Sequence, residues 1–142
     1  MIRALLLLLA MMAPAAAQLR DFSCVGAERL EGDAVSLDFQ RGADRLTPEA
    51  IAVLAPLAES GKAAPERNFC VLGFAASPEG GAQTASRLAA RRARAVALQL
   101  SQLGIERDRV RAEARTRGFS TPREGRGVDR RAGARIILLP LS

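Results

Sequence analysis

The sequence contains no histidine, no tryptophan and no tyrosine, and it has only two cysteines. Without histidine, the chain lacks the usual general base and a common nitrogen ligand of zinc. The missing large aromatic side chains disfavour single-stranded nucleic acid as a ligand, because proteins that bind it usually stack its bases on aromatic rings. We therefore predict a protein that is not an enzyme, uses no cofactor or metal ion and binds no nucleic acid.

The first residues predict export. Residues 1–3 carry one positive charge, residues 4–13 are apolar throughout, and residues 14–17 read Pro-Ala-Ala-Ala. This order is typical of a secretory signal peptide over residues 1–17, with cleavage after Ala17. The apolar run is shorter than the roughly 20 residues that cross a bilayer, and no second run of that length follows. We therefore expect the mature chain to have no transmembrane segment.

Cys24 and Cys70 are the two cysteines, and an exported chain meets an oxidising compartment. The default prediction is a disulfide between them, worth roughly 4 kcal/mol from loop-closure entropy. It would tie an N-terminal segment, residues 18–33, to a domain predicted over residues 34–142. Lipid attachment at Cys24 is the disfavoured alternative, because residues 18–23 separate this cysteine from the predicted cleavage site.

Charge is distributed unevenly along the chain. Residues 18–86 hold six basic and ten acidic side chains, whereas residues 87–142 hold fourteen basic and five acidic ones, nearly all of the basic ones arginine. An arginine-rich half suits a polyanionic partner such as an envelope polymer. The alternative is a solvated face without such a partner, and the role of residues 115–135 stays open.

Hydrophobic periodicity predicts strands that alternate with helices. Predicted strands cover residues 34–39, 68–74, 110–114 and 134–139, and predicted helices run from Thr47 to Gly61 and over residues 82–103. The second strand is apolar on both faces, which favours a central position in a sheet. The fold class is therefore α/β (α+β): a two-layer sandwich in the order strand-helix-strand-helix-strand-strand, with the helices on one face of a mixed sheet.

Arg92 interrupts the apolar side of the second predicted helix. On a helical wheel, Arg87, Arg91 and Arg94 lie opposite the apolar arc, but Arg92 falls inside it. An unpaired charge buried there would be very costly. The guanidinium is therefore expected to reach the edge of the helix, to bond with an internal acid or backbone carbonyl, or to meet a ligand.

Three stretches resemble the OmpA-like C-terminal domain family. Residues 35–58, VSLDFQRGADRLTPEAIAVLAPLA, are similar to its opening strand, loop and Leu-Thr-Pro-Glu-Ala helix start. Residues 71–81, VLGFAASPEGG, stand where the family has a strand, Gly-His-Thr-Asp and a glycine-containing loop. Residues 87–110, RLAARRARAVALQLSQLGIERDRV, resemble its Leu-Ser-x-x-Arg-Ala-x-x-Val helix and the Gly-Ile link that follows. The resemblance covers residues 34–139 and implies a small helix-on-sheet domain.

The resemblance also implies non-covalent binding of peptidoglycan in the periplasm of a Gram-negative-type cell, with association with the outer membrane left open. In the family, the Asp of Gly-His-Thr-Asp and the helix arginine bind the diaminopimelate of the stem peptide. One fixed anion and one fixed cation suit its ammonium and carboxylate groups. Carried onto this chain, the expected ligand-binding residues are Arg92, Gly73, Ala76, Ser77 and Glu79.

The chain departs from the family pattern at the ligand-binding loop. Ala76 stands at the aspartate position, Ala85 at a usual asparagine position, and residues 131–136 replace the closing Asn-Arg-Arg-x-Glu-Ile pattern. Losing one partner of a close charge pair typically costs several kcal/mol of affinity. Glu79 is a candidate replacement anion. Two hypotheses follow: a cell-envelope protein that binds peptidoglycan, or a degenerate domain that has lost diaminopimelate binding and binds an envelope protein instead.

Overall fold

A computed structural model describes residues 20–76, 81–115 and 132–142 of the chain. Its strands are β1 (Ala34–Asp38), β2 (Phe69–Gly73), β3 (Val110–Ala114) and β4 (Ala132–Leu138), and its long helices are α1 (Pro48–Ala63) and α2 (Ala82–Gln102). This order confirms the predicted succession of strands and helices. The predicted signal peptide, residues 1–17, and most of the arginine-rich loop before β4 lie outside the described residues.

The four strands form one mixed sheet in the order β1-β4-β2-β3. β2 pairs with β3 in parallel and with β4 in antiparallel fashion, and all five β2 residues are buried. The prediction of a central strand from its apolar run is therefore confirmed. This topology brings the carboxyl ends of β1, β2 and β3 to the same end of the sheet.

Both helices pack on one face of the sheet, which confirms the predicted fold class. β1 presents its alternating apolar residues to this face: Leu37 is buried, and Val35 and Phe39 pack against the same core. Val96 and Leu100 of α2 are fully buried there as well. Residues spaced by two on the strands and by three or four on the helices therefore meet in one core.

The N-terminal segment covers the opposite face of the sheet. The predicted disulfide between Cys24 and Cys70 is present, with the two Cα atoms 5.7 Å apart. Both cysteines are buried in a second, smaller apolar cluster with Ala27, Leu72 and Ile137. The disulfide therefore joins residues that also pack together, and it attaches the segment directly to the central strand.

Arginines from the sheet hold the same segment by its backbone. Arg115 Nη2 donates to the carbonyl oxygen of Cys24 at 3.0 Å, and Arg135 Nη2 donates to that of Leu30 at 2.8 Å. These two arginines flank the segment for which the sequence suggests a polyanionic partner. In the structure, both bind carbonyls of their own chain.

The predicted end of α1 at Gly61 is wrong, because the helix continues to Ala63. Gly61 is buried inside the helix, and a Cβ at this position would overlap the ring of Phe69. The glycine therefore serves close packing of the helix on β2 rather than helix termination. α2, in contrast, ends just before Gly104, whose φ of 98° is the left-handed conformation expected after a helix.

Arg109 is a second buried arginine, and the sequence analysis missed it. It is 1% exposed and lies at the opposite end of the sheet from the carboxyl ends of β1 and β2. Its guanidinium donates to the carbonyl oxygens of Gly61 at 2.7 Å, Ala64 at 2.9 Å and Arg67 at 2.8 Å. The first two belong to the end of α1, where helix carbonyls have no partner within the helix. Arg109 therefore caps α1 from a distant part of the chain.

We predict that Glu106 makes the stability of the domain depend on pH. The hydrogen bond that Arg109 Nη1 donates to Glu106, at 2.9 Å, holds the pKa of this carboxyl below its usual value. Its contribution to the free energy of unfolding is therefore present above the ordinary glutamate pKa and lost as the pH falls through the lowered folded-state value. The contribution is small, because the carboxylate side chain is 61% exposed.

Urea unfolding near neutral pH and at about pH 3 measures this contribution. Glu106→Gln should lose less stability on acidification than the unchanged chain. The matched control, Glu49→Gln, removes a carboxylate at the start of α1 and leaves the bond between Arg109 and Glu106 in place. Equal pH dependence in Glu106→Gln and the unchanged chain would contradict the prediction.

Candidate functional site

The candidate site lies where the carboxyl ends of β1 and β2 meet the start of α2. Arg92 lies on the sheet-facing side of α2 and is only 2% exposed. The wheel prediction that this arginine shares the buried face of the helix is therefore confirmed. Its neighbours Arg91 and Arg94 are exposed, as the same wheel predicts.

Three backbone carbonyls accept hydrogen bonds from Arg92. Nε donates to Ala43 at 2.7 Å, Nη1 to Phe74 at 3.0 Å and Nη2 to Gln40 at 3.1 Å. The guanidinium carbon also lies 5.1 Å from the ring centroid of Phe39, within the range of a cation–π contact. Two of the carbonyls belong to the loop between β1 and α1, and the third follows β2. Arg92 therefore joins both loops to α2.

These contacts fix the direction of the guanidinium. Its planar group carries five N–H donors, and three of its nitrogens each donate to one of these carbonyl oxygens. Of the alternatives that the sequence left open for Arg92, the structure shows bonding to backbone carbonyls.

Gly73 determines how closely α2 approaches the sheet. It ends β2 and is buried, and a Cβ here would overlap the carbonyl oxygen of Ala89 in α2. Ala89 lies one helical turn before Arg92, so this close approach also sets the depth of the guanidinium. A direct contact between Gly73 and a ligand stays a prediction.

The loop after β2 is described only in part. Ala76 is partly buried three residues beyond Gly73, at the position where the family aspartate was expected. Ser77 and Glu79 lie outside the described residues. The hypothesis that Glu79 supplies the missing anion therefore stays a prediction.

Two departures from the family pattern lie in one apolar cluster. Ala75 stands where the resemblance has a threonine and Ala85 where it has an asparagine, and both are buried together with Leu88 and Ala89. Sequence reasoning noted Ala85 but missed that it shares a cluster with Ala75, because the two residues lie on different elements. The floor of this part of the site is therefore apolar.

An exposed ion pair lies beside Arg92. Arg91 Nε lies 3.0 Å from Asp44 Oδ2 and links α2 to the same loop that Arg92 holds. Exposed pairs of this kind contribute roughly 0–1 kcal/mol to stability. Sequence reasoning missed Asp44. Its position shortly before the start of α1 is the only signal in the sequence that could have pointed to it.

Within the described ranges, no three His, Cys, Asp or Glu side chains come close enough together to hold a metal ion. Among the helices of these ranges, none is both long and apolar enough to cross a membrane.

The family model described as the OmpA family matches residues 38–131, which is more than half of the chain. The chain belongs to the OmpA family. This confirms the resemblance drawn from the three sequence stretches. No curated protein matches the sequence of this OmpA-family chain.

Solved structures of OmpA-like domains share its fold. The OmpA-like domain of FopA1 from Francisella tularensis is 21% identical, with a TM-score of 0.58 over 75% of this chain and 73% of that one. The peptidoglycan-associated lipoprotein from Burkholderia pseudomallei is 21% identical, with a TM-score of 0.56 over 75% and 87%. The C-terminal domain of Helicobacter pylori MotB is 16% identical, with a TM-score of 0.62 over 76% and 86%. At these identities, the likeness shows the fold alone.

We predict that Gly73→Ala destabilises the domain by about 2 kcal/mol, because the added methyl group forces α2 away from β2. The matched control is Gly32→Ala, since a Cβ at Gly32 meets no atom within 4 Å. That variant should stay within about 0.5 kcal/mol of the unchanged chain. Urea unfolding measures both changes, and equal stability of the two variants would contradict the assigned role of Gly73.

Proposed function

We propose that the chain is an exported protein of the cell envelope whose OmpA-like domain binds peptidoglycan non-covalently and catalyses no reaction. The ligand group is the diaminopimelate of the stem peptide, and the location is the periplasm. The observation that supports this proposal is the buried Arg92, held in a fixed orientation at the end of the sheet where the family resemblance places the ligand.

Diaminopimelate presents ammonium and carboxylate groups at the free end of its side chain. The positive charge of Arg92 suits the carboxylate, because guanidinium–carboxylate bonds are among the stronger hydrogen-bonded contacts in proteins. Carbonyl and carboxylate oxygens in the adjoining loops suit the ammonium group. The peptidoglycan-associated lipoprotein from Burkholderia pseudomallei, which shares the fold, carries a name consistent with this ligand.

Binding is expected to be weaker than in a domain with an aspartate at position 76. Ala76 supplies no anion, and the loss of one partner of a close charge pair costs several kcal/mol. Each 1.4 kcal/mol is a tenfold change in Kd, so a micromolar affinity falls toward about a millimolar one. Multiple stem peptides on a cell-wall polymer offset weak single contacts only if several copies of the protein are held together.

The second candidate function is binding of an envelope protein by a domain that has lost diaminopimelate binding. The apolar cluster that holds both Ala75 and Ala85 favours it, because alanine supplies no hydrogen-bonding group at two positions where the family pattern has a polar residue.

Sedimentation with purified peptidoglycan sacculi tests the first function. We expect residues 18–142 to sediment with sacculi and Arg92→Ala to lose about 2 kcal/mol of binding or more, roughly 30-fold, because the ligand carboxylate loses its cation. The matched control is Arg91→Ala, which removes the neighbouring exposed arginine. Heteronuclear NMR spectra establish that each variant is folded. Equal sedimentation of Arg92→Ala and Arg91→Ala would contradict the role of Arg92.

Restoring the aspartate separates the two functions. Ala76→Asp should increase sacculus binding, because it returns an anion for the ammonium group of diaminopimelate. If the unchanged chain stays in solution and only Ala76→Asp sediments, the domain has kept the fold and lost this ligand. If neither sediments, the peptidoglycan proposal is wrong.

A further inference from the structure

β3 forms one edge of the sheet, and among the described strands only β2 pairs with it. The amide of Arg115 donates to the carbonyl oxygen of Gly73 at 2.8 Å, so Glu113 and Arg111, two and four residues earlier, also direct their backbone groups at β2. Backbone groups of the alternate residues Ala112 and Ala114 therefore point away from the sheet. A strand edge that no other described strand covers is a ready template for another extended chain.

An apolar groove runs beside this edge on the helix side of the sheet. It has a volume of ≈ 330 Å³ and is lined by Ala97, Leu98 and Ser101 of α2 and by Arg107 and Val110. Leu98 is 53% exposed, although it is a large apolar side chain. A strand added to β3 would place every second side chain on the helix side, next to this groove.

The charges around the groove are positive. Arg107 lines it, and Arg94 lies one helical turn before Leu98 on the same side of α2. Both arginines are exposed, and neither side chain has an ion pair or a hydrogen bond in the described part of the chain.

Nearby acidic side chains already have partners. Asp108 lies 3.4 Å from Arg20, Glu106 lies 2.9 Å from Arg109, and Glu113 lies 2.6 Å from Arg115. These three acidic side chains therefore do not pair with Arg94 or Arg107, whose positive charges can interact with a partner. A partner with carboxylates therefore gains from this surface, whereas a second copy of the chain would bring like charges together.

We propose that the β3 edge binds an extended segment of another envelope protein in which apolar and acidic side chains recur. The segment adds a fifth strand by hydrogen bonds to the outward backbone groups of Ala112 and Ala114. Its apolar side chains enter the groove beside Leu98, and its carboxylates meet Arg94 and Arg107. Main-chain bonds supply affinity in this mode of recognition, and the pockets for alternate side chains supply specificity. This binding is independent of Arg92 and of peptidoglycan.

The test is a selection of random decapeptides displayed on phage against residues 18–142, followed by synthesis of the enriched peptides. We expect enrichment of peptides that combine β-branched or other apolar residues with Asp or Glu. In NMR titrations, these peptides should shift the amides of Ala112 and Ala114 and the methyl groups of Leu98. Their affinity should fall as salt concentration rises, since exposed ion pairs are screened.

Ala112→Pro is the decisive variant, because it removes an outward N–H and leaves the bonds of β3 to β2 in place. It should weaken the selected peptides by about tenfold or more, which is about 1.4 kcal/mol. Leu98→Ser should weaken them as well, and the matched control, Val53→Ser at a 48% exposed position on α1, should not. Spectra of each variant establish that the fold is kept.

Each of the following results would overturn the proposal. Selected peptides without acidic residues, or peptides that shift NMR signals away from β3, would show that the β3 edge does not bind a segment of this kind. Equal binding to Ala112→Pro would exclude strand addition. Dimerisation through β3, detected by sedimentation and lost in Ala112→Pro, would show that a second copy occupies the edge. Absence of any enriched peptide would likewise count against it.

Discussion

The hydrogen bonding of a buried guanidinium is the constraint on which this structure most depends. Arg92 carries its charge into the face of α2 that packs on the sheet, and a buried charge without partners would be very costly. The loop between β1 and α1 and the residue after β2 provide carbonyl oxygens to it, so three separate parts of the chain converge on one side chain. Gly73 allows this convergence by letting α2 approach the end of β2 closely.

The same chemistry recurs elsewhere in the molecule. Arg109 binds carbonyls at the end of α1, and Arg115 and Arg135 bind carbonyls of the N-terminal segment that the disulfide also attaches. Arginine suits this purpose because its planar group offers several donors in fixed directions and keeps its charge. A part of the positive charge that suggests a polyanionic partner is therefore used inside the domain. Arg94 and Arg107, which have no such partner in the described chain, are the basis of the proposed protein contact at β3.

Local periodicity was enough to predict the elements, the central position of β2 and the helix faces, including the position of Arg92 on the apolar side of α2, because periods of two and 3.6 residues are properties of strands and helices themselves. Features that depend on contacts between distant elements were not predictable in this way. The sequence pattern predicts a helix end at Gly61. In the structure, the missing side chain instead leaves room for the ring of Phe69. The burial of Arg109 and the apolar cluster shared by Ala75 and Ala85 likewise become visible only when the elements are packed together.

The binding proposed at Arg92 and the binding proposed at β3 use different surfaces, so the two proposals are compatible in one domain. The most direct measurement of the first is an NMR titration with a muropeptide that contains meso-diaminopimelate, following the side-chain Nε–Hε signal of Arg92. If the guanidinium binds the ligand carboxylate, this signal shifts together with the amides of residues 40–44 and 74–76, and a muropeptide with lysine in place of diaminopimelate leaves it unchanged. If the signal stays in place at ligand concentrations that saturate Ala76→Asp, Arg92 is a structural residue only, and the domain does not bind peptidoglycan through it.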